Sequence, residues 1–160
     1  MAFRALYTLS GGAVPVKGYT ITASEAWDRG DCVAWDSAGT LVELAGDNAD
    51  VLGYALEAVT GGASLGPRTT IALVVPFMHG VVYATTEVAE ATQAPLVTDI
   101  GTNRDLDVSS GNWGIHATAS ATGATPNFRV VDVDLIRNEW HVVIAPDVVS
   151  AVFQWVDGAV

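Results

Sequence analysis

Residues Trp27 to Val59 read WDRGDCVAWDSAGTLVELAGDNADVLGYALEAV. Two short runs, Asp31 to Trp35 and Thr40 to Leu44, flank Asp36-Ser37-Ala38-Gly39. An aspartate opening such a segment accepts a hydrogen bond from the backbone two residues on. A closing glycine takes the positive φ with which a type I turn joins a returning strand. The stretch therefore predicts a β-hairpin. Beyond it, Gly46-Asp47-Asn48-Ala49-Asp50 is a second loop of turn formers, and Val51 to Val59 is apolar enough to be the next strand. Nothing in this stretch has the pattern of a reactive centre.

On the N-terminal side, Met1 to Lys17 carries Phe3, Leu6, Tyr7 and Leu9, then Gly11-Gly12 and Val14-Pro15-Val16. Central glycines and a late proline favour an extended arm over a packed helix. As an arm, residues 1–17 add a strand to the exposed sheet edge of a partner. The alternative is a simple first strand of the domain. Gly18 to Thr22 is a short strand, and Ala23 to Asp28 a turn or single helical turn leading into the hairpin.

On the C-terminal side, Thr60 to Pro67 is a glycine-rich loop, and Gly66-Pro67 is where an internal boundary would fall if the chain had two lobes, though neither half has enough independent core. Arg68 to Val75 is a β-branched run that Pro76 ends or places at an edge. His79 to Thr85 is expected to pair with it through a tight Phe77 to Gly80 connection. Glu87 to Ala91 has helix formers after a capping Thr86, but Pro95 limits it to one or two turns. A second hairpin is predicted from Arg104 to Val108 and Trp113 to Thr118, joined by Ser109-Ser110-Gly111-Asn112, and Thr118 to Asn127 is an exposed loop. Phe128 to Leu135 alternates with period two, Arg137-Asn138 turns it, and Glu139 to Ala145 returns. Asp147 to Val156 is a last apolar segment, read as a strand on its β-branched content. About ten short strands at this spacing make an all-β sandwich or barrel, with residues 18–160 as a single domain.

A chain of 160 residues suits one domain burying roughly 70% of its unfolded surface. Half the residues are hydrophobic and only 16% charged, which points to further surface buried in an oligomer or a larger assembly. Eighteen acids against seven bases give a net charge of −11. The bases are scattered, with no basic stripe to displace counterions from a phosphate backbone, so nucleic acid is not an expected partner. The longest apolar run, Ile71 to Met78, is far short of the roughly 20 residues of a membrane helix. The first residues have too short an apolar core for a signal peptide.

The candidate chemistry is sparse. Cys32 is the only cysteine, so neither an internal disulfide nor a thiolate metal cluster can form. His79, His116 and His141 are far apart, each on a predicted strand, and read more simply as unrelated strand residues than as a metal triad. Asp47, Asn48 and Asp50 lack the alternating ligands of a calcium loop, and turn chemistry explains them. The pairs Asp105 with Asp107 and Asp132 with Asp134 share strand faces as acid and base groups would, but alternation on a wet face produces the same spacing. No nucleophile elbow, phosphate loop or zinc-protease motif is present. Neither catalytic residues nor a cofactor nor a metal is expected. Five tryptophans, Trp27, Trp35, Trp113, Trp140 and Trp155, read as core or interface anchors. The alternative is a sugar-stacking platform of a carbohydrate-binding module on a virion or cell surface.

One resemblance covers about a third of the chain. Arg29-Gly30-Asp31, the hairpin residues Asp36 and Gly39, and Ala49-Asp50-Val51-Leu52-Gly53-Tyr54-Ala55 resemble the repeated grammar of small decoration (cement) proteins on the capsids of tailed phages, with a looser echo at Gly80 to Ala84. The resemblance implies a compact β-tulip or barrel body with an extended N-terminal arm that orders on the shell. It also implies a non-enzymatic role on the outer surface of the virion head, with the major capsid protein and further copies of the chain, as a trimer, for partners. Under that reading Phe3, Arg4, Leu6 and Tyr7 grip coat protein, and Arg29 and Asp31 make contacts around the shell or trimer. Residues 86–160 exceed what the short pattern requires.

Overall fold

The computed structural model describes residues 3–21, 25–35, 40–43, 51–59, 71–86, 88, 93–109, 112–116 and 127–145. Among them the protein is all-β, as its turn spacing predicts, with eleven strands and a single 3₁₀ turn, Val97–Asp99. The strands are β1 (Phe3–Thr8), β2 (Lys17–Thr20), β3 (Cys32–Trp35), β4 (Leu41–Glu43), β5 (Val51–Ala55), β6 (Ile71–Pro76), β7 (Val81–Thr85), β8 (Asn103–Ser109), β9 (Asn112–Ile115), β10 (Asn127–Asp134) and β11 (Glu139–Ile144). They form two antiparallel sheets, a six-stranded one in the order β1-β7-β11-β10-β8-β9 and a five-stranded one in the order β2-β6-β5-β3-β4.

Three of the predicted hairpins are present, one of them pairing Asp134 with Glu139. Trp35 pairs with Leu41 in the first and Ser109 with Asn112 in the second. The Asp36 to Gly39 turn lies outside the described residues. So do the Thr60 to Pro67 loop with its candidate boundary, the Asp47 to Asp50 loop, most of the expected Glu87 to Ala91 helix and the segment after Ala145.

The two sheets bury one large core between them. The six-stranded sheet contributes Phe3, Tyr83, Leu106, Trp113, Phe128, Val130, Trp140 and Val142, and the other sheet Cys32, Ala34, Val51, Tyr54 and Val75. Alternation explains the selection, because residues opposite one another across antiparallel strands share a face. Phe3, Thr85, Trp140 and Val133 form an inward row, and Arg4, Ala84, His141 and Asp132 the outward row beside it. A smaller cluster of Trp27, Val33, Ala55, Val59, Ala72 and Val74 covers the far face of the five-stranded sheet. It is closed by an isolated bridge between Trp27 and Val59.

One expected pairing is corrected. Strands β6 and β7 are not partners: β6 pairs with β2 and β5, whereas β7 pairs with β1 and β11. Between them the chain crosses from one sheet to the other. Pro76 has no amide to continue a ladder, and Phe77 is buried in the layer between the sheets, at 5.0 Å from Phe3 and 5.1 Å from Tyr83 between ring centroids. The Tyr83 hydroxyl fixes the crossing by donating to the Pro76 carbonyl (3.0 Å) and accepting from the Met78 amide (2.9 Å).

Gly53 stands opposite Pro76 in the middle of the five-stranded sheet. A Cβ there would collide with the Val75 carbonyl oxygen and stand 2.7 Å from Pro76 Cα. Backbone atoms cannot rotate away, so Gly53→Ala is expected to cost at least the 1–3 kcal/mol typical of overpacking, roughly, measured as a lowered urea midpoint. An unchanged midpoint would show that β5 and β6 separate more readily than their register implies.

Candidate functional site

The six residues expected to reach outward divide once the chain is folded. Residues 3–8 are not a free arm. They form an edge strand of the protein's own sheet, with Phe3 opposite Thr85 and Thr8 opposite Val81. Phe3, 1% exposed, sits among Tyr54, Phe77 and Phe128 at centroid distances of 6.4, 5.0 and 5.4 Å. It is a core residue here and offers no exposed face. The glycines and proline that suggest an arm fall in residues 9–16, after the strand has ended, and do not bear on β1.

Arg4 points outward and places Nη2 2.8 Å from Glu139 Oε2. Ala84, which lies between their strands, carries only a methyl group and leaves the guanidinium room to cross. A register shift between Ala5 and Tyr7 interrupts the alternation at Leu6. The Ala5 amide donates to the Tyr54 hydroxyl (2.8 Å) on the other sheet, while Tyr7 is turned out and 51% exposed, followed by exposed Leu9. The outward-facing apolar part of this segment is therefore Tyr7 with Leu9, next to half-buried Leu6.

Arg29 and Asp31 belong to one tight turn. Asp31 donates its amide to the Asp28 carbonyl (3.2 Å), and its carboxylate accepts the Asp28 amide (2.7 Å). Gly30 adopts a φ of 100° that a side chain would resist. Ladder bonds from the Gly30 amide to Ala55 and from the Ala55 amide to Asp31 weld the turn onto β5. Burial raises the Asp31 carboxyl above the ordinary range, the Asp28 amide acts against that, and the Asp28 charge adds to it. Asp31 thus closes its own turn, and Arg29 is presented to solvent.

Two exposed apolar groups escaped the sequence reading. Leu96, Val97 and Ile100, on and beside the 3₁₀ turn, are exposed together with Val131 of β10. The turn is joined to β10 by bonds from the Gly101 amide to Val130 (2.8 Å) and from the Val130 amide to Thr102 (2.9 Å). The second group is the tip between β10 and β11, where Leu135 is exposed and Ile136 is 97% exposed. Asp134 Oδ1 accepts the amides of Ile136 (3.0 Å) and Arg137 (2.9 Å), and Asn138 takes a φ of 59°. The tip is thereby held in shape. Its signal was present in the sequence as Leu-Ile where a hairpin turn ordinarily carries polar residues.

The tryptophans do not make a platform among the described residues. Trp27, Trp113 and Trp140 are buried, and Trp35 packs edge-on against Tyr19 at 5.1 Å. Trp155 lies outside the described residues.

The groups with nucleophilic or acid and base potential are spread out. His79 is exposed in the turn before β7, His116 follows β9, and His141 lies on β11, so the three imidazoles do not form a common cluster. Cys32 is fully buried, and burial first, with the Asp31 charge second, pushes its thiol well above the ordinary value of 9.0. Burial likewise raises the Tyr83 phenol above 10.0. A group whose folded pKa is raised keeps its proton in the folded state while the unfolded chain loses it. Stability is then full below the unfolded value and falls as pH rises past it. Unfolding free energy is expected to decline from about pH 9 for Cys32 and about pH 10 for Tyr83, each by up to about 1.4 kcal/mol per pH unit. Urea titrations between pH 8 and 11 test this, and Cys32→Ala should lose the first part of the decline.

No protein-family model and no curated protein matches this chain.

Proposed function

We propose that this protein is a capsid decoration protein. In this reading it is a non-enzymatic all-β body that binds the outer surface of a tailed-phage head and bridges neighbouring coat subunits, most simply as a trimer at three-fold positions. The observation that carries the reading is the set of apolar side chains left exposed on elements held in place by backbone bonds. These are Tyr7 and Leu9 beside the edge strand β1, Leu96, Val97, Ile100 and Val131 around the 3₁₀ turn, and Leu135 and Ile136 at the hairpin tip. Together with the resemblance over Arg29 to Ala55, such surfaces suit contacts that are weak singly and tight when repeated over a closed lattice.

In this proposal the contact elements are changed from those the sequence suggests. The outer residues of β1 and the hairpin tip take the place of a loose arm, Phe3 holds β1 against the core, and Arg29 remains a candidate at the shell. The acidic surface keeps free copies soluble and apart from one another until the lattice arrays them.

The test is sedimentation of the purified protein with undecorated capsids, expanded and unexpanded, alongside a Leu135→Ser/Ile136→Ser variant and a Tyr7→Ser/Leu9→Ser variant. Co-sedimentation by the wild type, reduced in at least one variant that keeps the wild-type urea midpoint, supports the proposal. Binding to neither capsid form defeats it.

A further inference from the structure

The outward face of the β10–β11 hairpin gathers three metal-ligating side chains on either side of one turn. Asp134 and Glu139 stand directly opposite one another, and His141, two residues along β11, shares their face. One ligand atom from each of the three lies within 4.8 Å of the others, and all three residues are half-buried. We propose that Asp134, Glu139 and His141 form a binding site for a divalent transition-metal ion of the zinc class, which clamps the two strands together. The proposal does not depend on the capsid reading.

The geometry requires little movement. Zinc bonds of about 2.0–2.2 Å in a tetrahedral arrangement place donor atoms about 3.4 Å apart, so side-chain rotation of roughly an ångström per donor suffices. The chemistry selects the ion class. One imidazole and two carboxylates suit zinc and its neighbours, whereas calcium prefers six to eight oxygens. Asp134 is already oriented, since the Ile136 and Arg137 amides occupy Oδ1 and leave Oδ2 for a further partner. His141 Nδ1 lies 3.6 Å from Asp132 Oδ2, one small rotation from the hydrogen bond that the outer partners of metal-bound histidines accept.

Two arginines among the described residues pair with the acids of this face. Arg4 reaches from β1 to Glu139 (2.8 Å), and Arg137 Nε stands 3.9 Å from Asp134 Oδ2. Asp132, Asp134 and Glu139 outnumber these two guanidiniums, leaving a net negative face for a cation. Arg4 is the direct competitor, because it holds the Glu139 carboxylate that the ion would take.

The experiment is calorimetric titration of zinc chloride into the full chain, with calcium chloride as control and thermal unfolding as a second readout. One zinc per chain is expected, together with a raised Tm and no response to calcium. Glu139→Gln and His141→Gln should each weaken binding at least about tenfold and abolish the Tm rise, whereas His79→Ala should leave both unchanged. Asp134→Asn keeps an oxygen for the two turn amides and should show the same loss with the turn preserved. Absence of zinc uptake by the wild type overturns the proposal. So does uptake undiminished in both Glu139→Gln and His141→Gln, or uptake lost in His79→Ala.

Discussion

Phe3→Ala is expected to lower the unfolding free energy by about 3–5 kcal/mol, the range for truncating a buried aromatic ring. The ring is 1% exposed and lies within 6.4 Å, centroid to centroid, of Tyr54, Phe77 and Phe128. Its loss leaves a cavity where both sheets meet, and it weakens the hold of β1 on β7. Since a domain's total stability is about 5–15 kcal/mol, the variant should be close to unfolding at moderate urea. Tyr7→Ala, four residues on and half-exposed, is expected to change stability by no more than about 0.5 kcal/mol. Equilibrium urea unfolding at constant slope separates the two. Equal and small effects would mean that the opening segment is undocked in solution, and would restore the reading of it as a free arm.

The second large effect is expected at Asp99. Its carboxylate accepts from Arg104 Nη2 (2.7 Å), from the Trp140 indole nitrogen (3.0 Å) and from the Leu96 amide (2.8 Å). One side chain thus ties the 3₁₀ turn to β8 and β11. The Arg104 side chain is 5% exposed and that of Asp99 15%. Breaking a largely buried ion pair by removing one partner costs about 3–5 kcal/mol, and here the Trp140 indole and the Leu96 amide lose their acceptor as well. Asp99→Ala should therefore rank with Phe3→Ala in urea unfolding. The half-exposed Arg4–Glu139 pair is of similar length at 2.8 Å, but solvent screening limits Glu139→Gln to about 1 kcal/mol or less. If the two substitutions cost the same, the Asp99 network does not hold the turn in the way its geometry implies. If the turn also displays Leu96, Val97 and Ile100 to a partner, Asp99→Ala should weaken capsid binding even where the body stays folded.

Strand content, hairpins and inward faces were legible in the sequence because they follow from local rules. Alternation selects which side chains share a face. Asp36 with Gly39 and Ser110-Gly111 mark reversals, and a proline closes β6. These signals act within a few residues, so Trp35 against Leu41 and Ser109 against Asn112 needed no knowledge of the rest of the chain. Only the tertiary structure decided which strands from distant parts of the chain lie side by side. A period-two pattern names a face and not a neighbour, and nothing local tells β7 to leave β6 and join β1 and β11. The same gap misplaced Phe3, whose inward turn depends on Tyr54, Phe77 and Phe128, 51, 74 and 125 residues away. It also concealed the approach of Arg4 to Asp134, Glu139 and His141, which one local hairpin brings together, since Arg4 reaches them only once β1, β7 and β11 are in register.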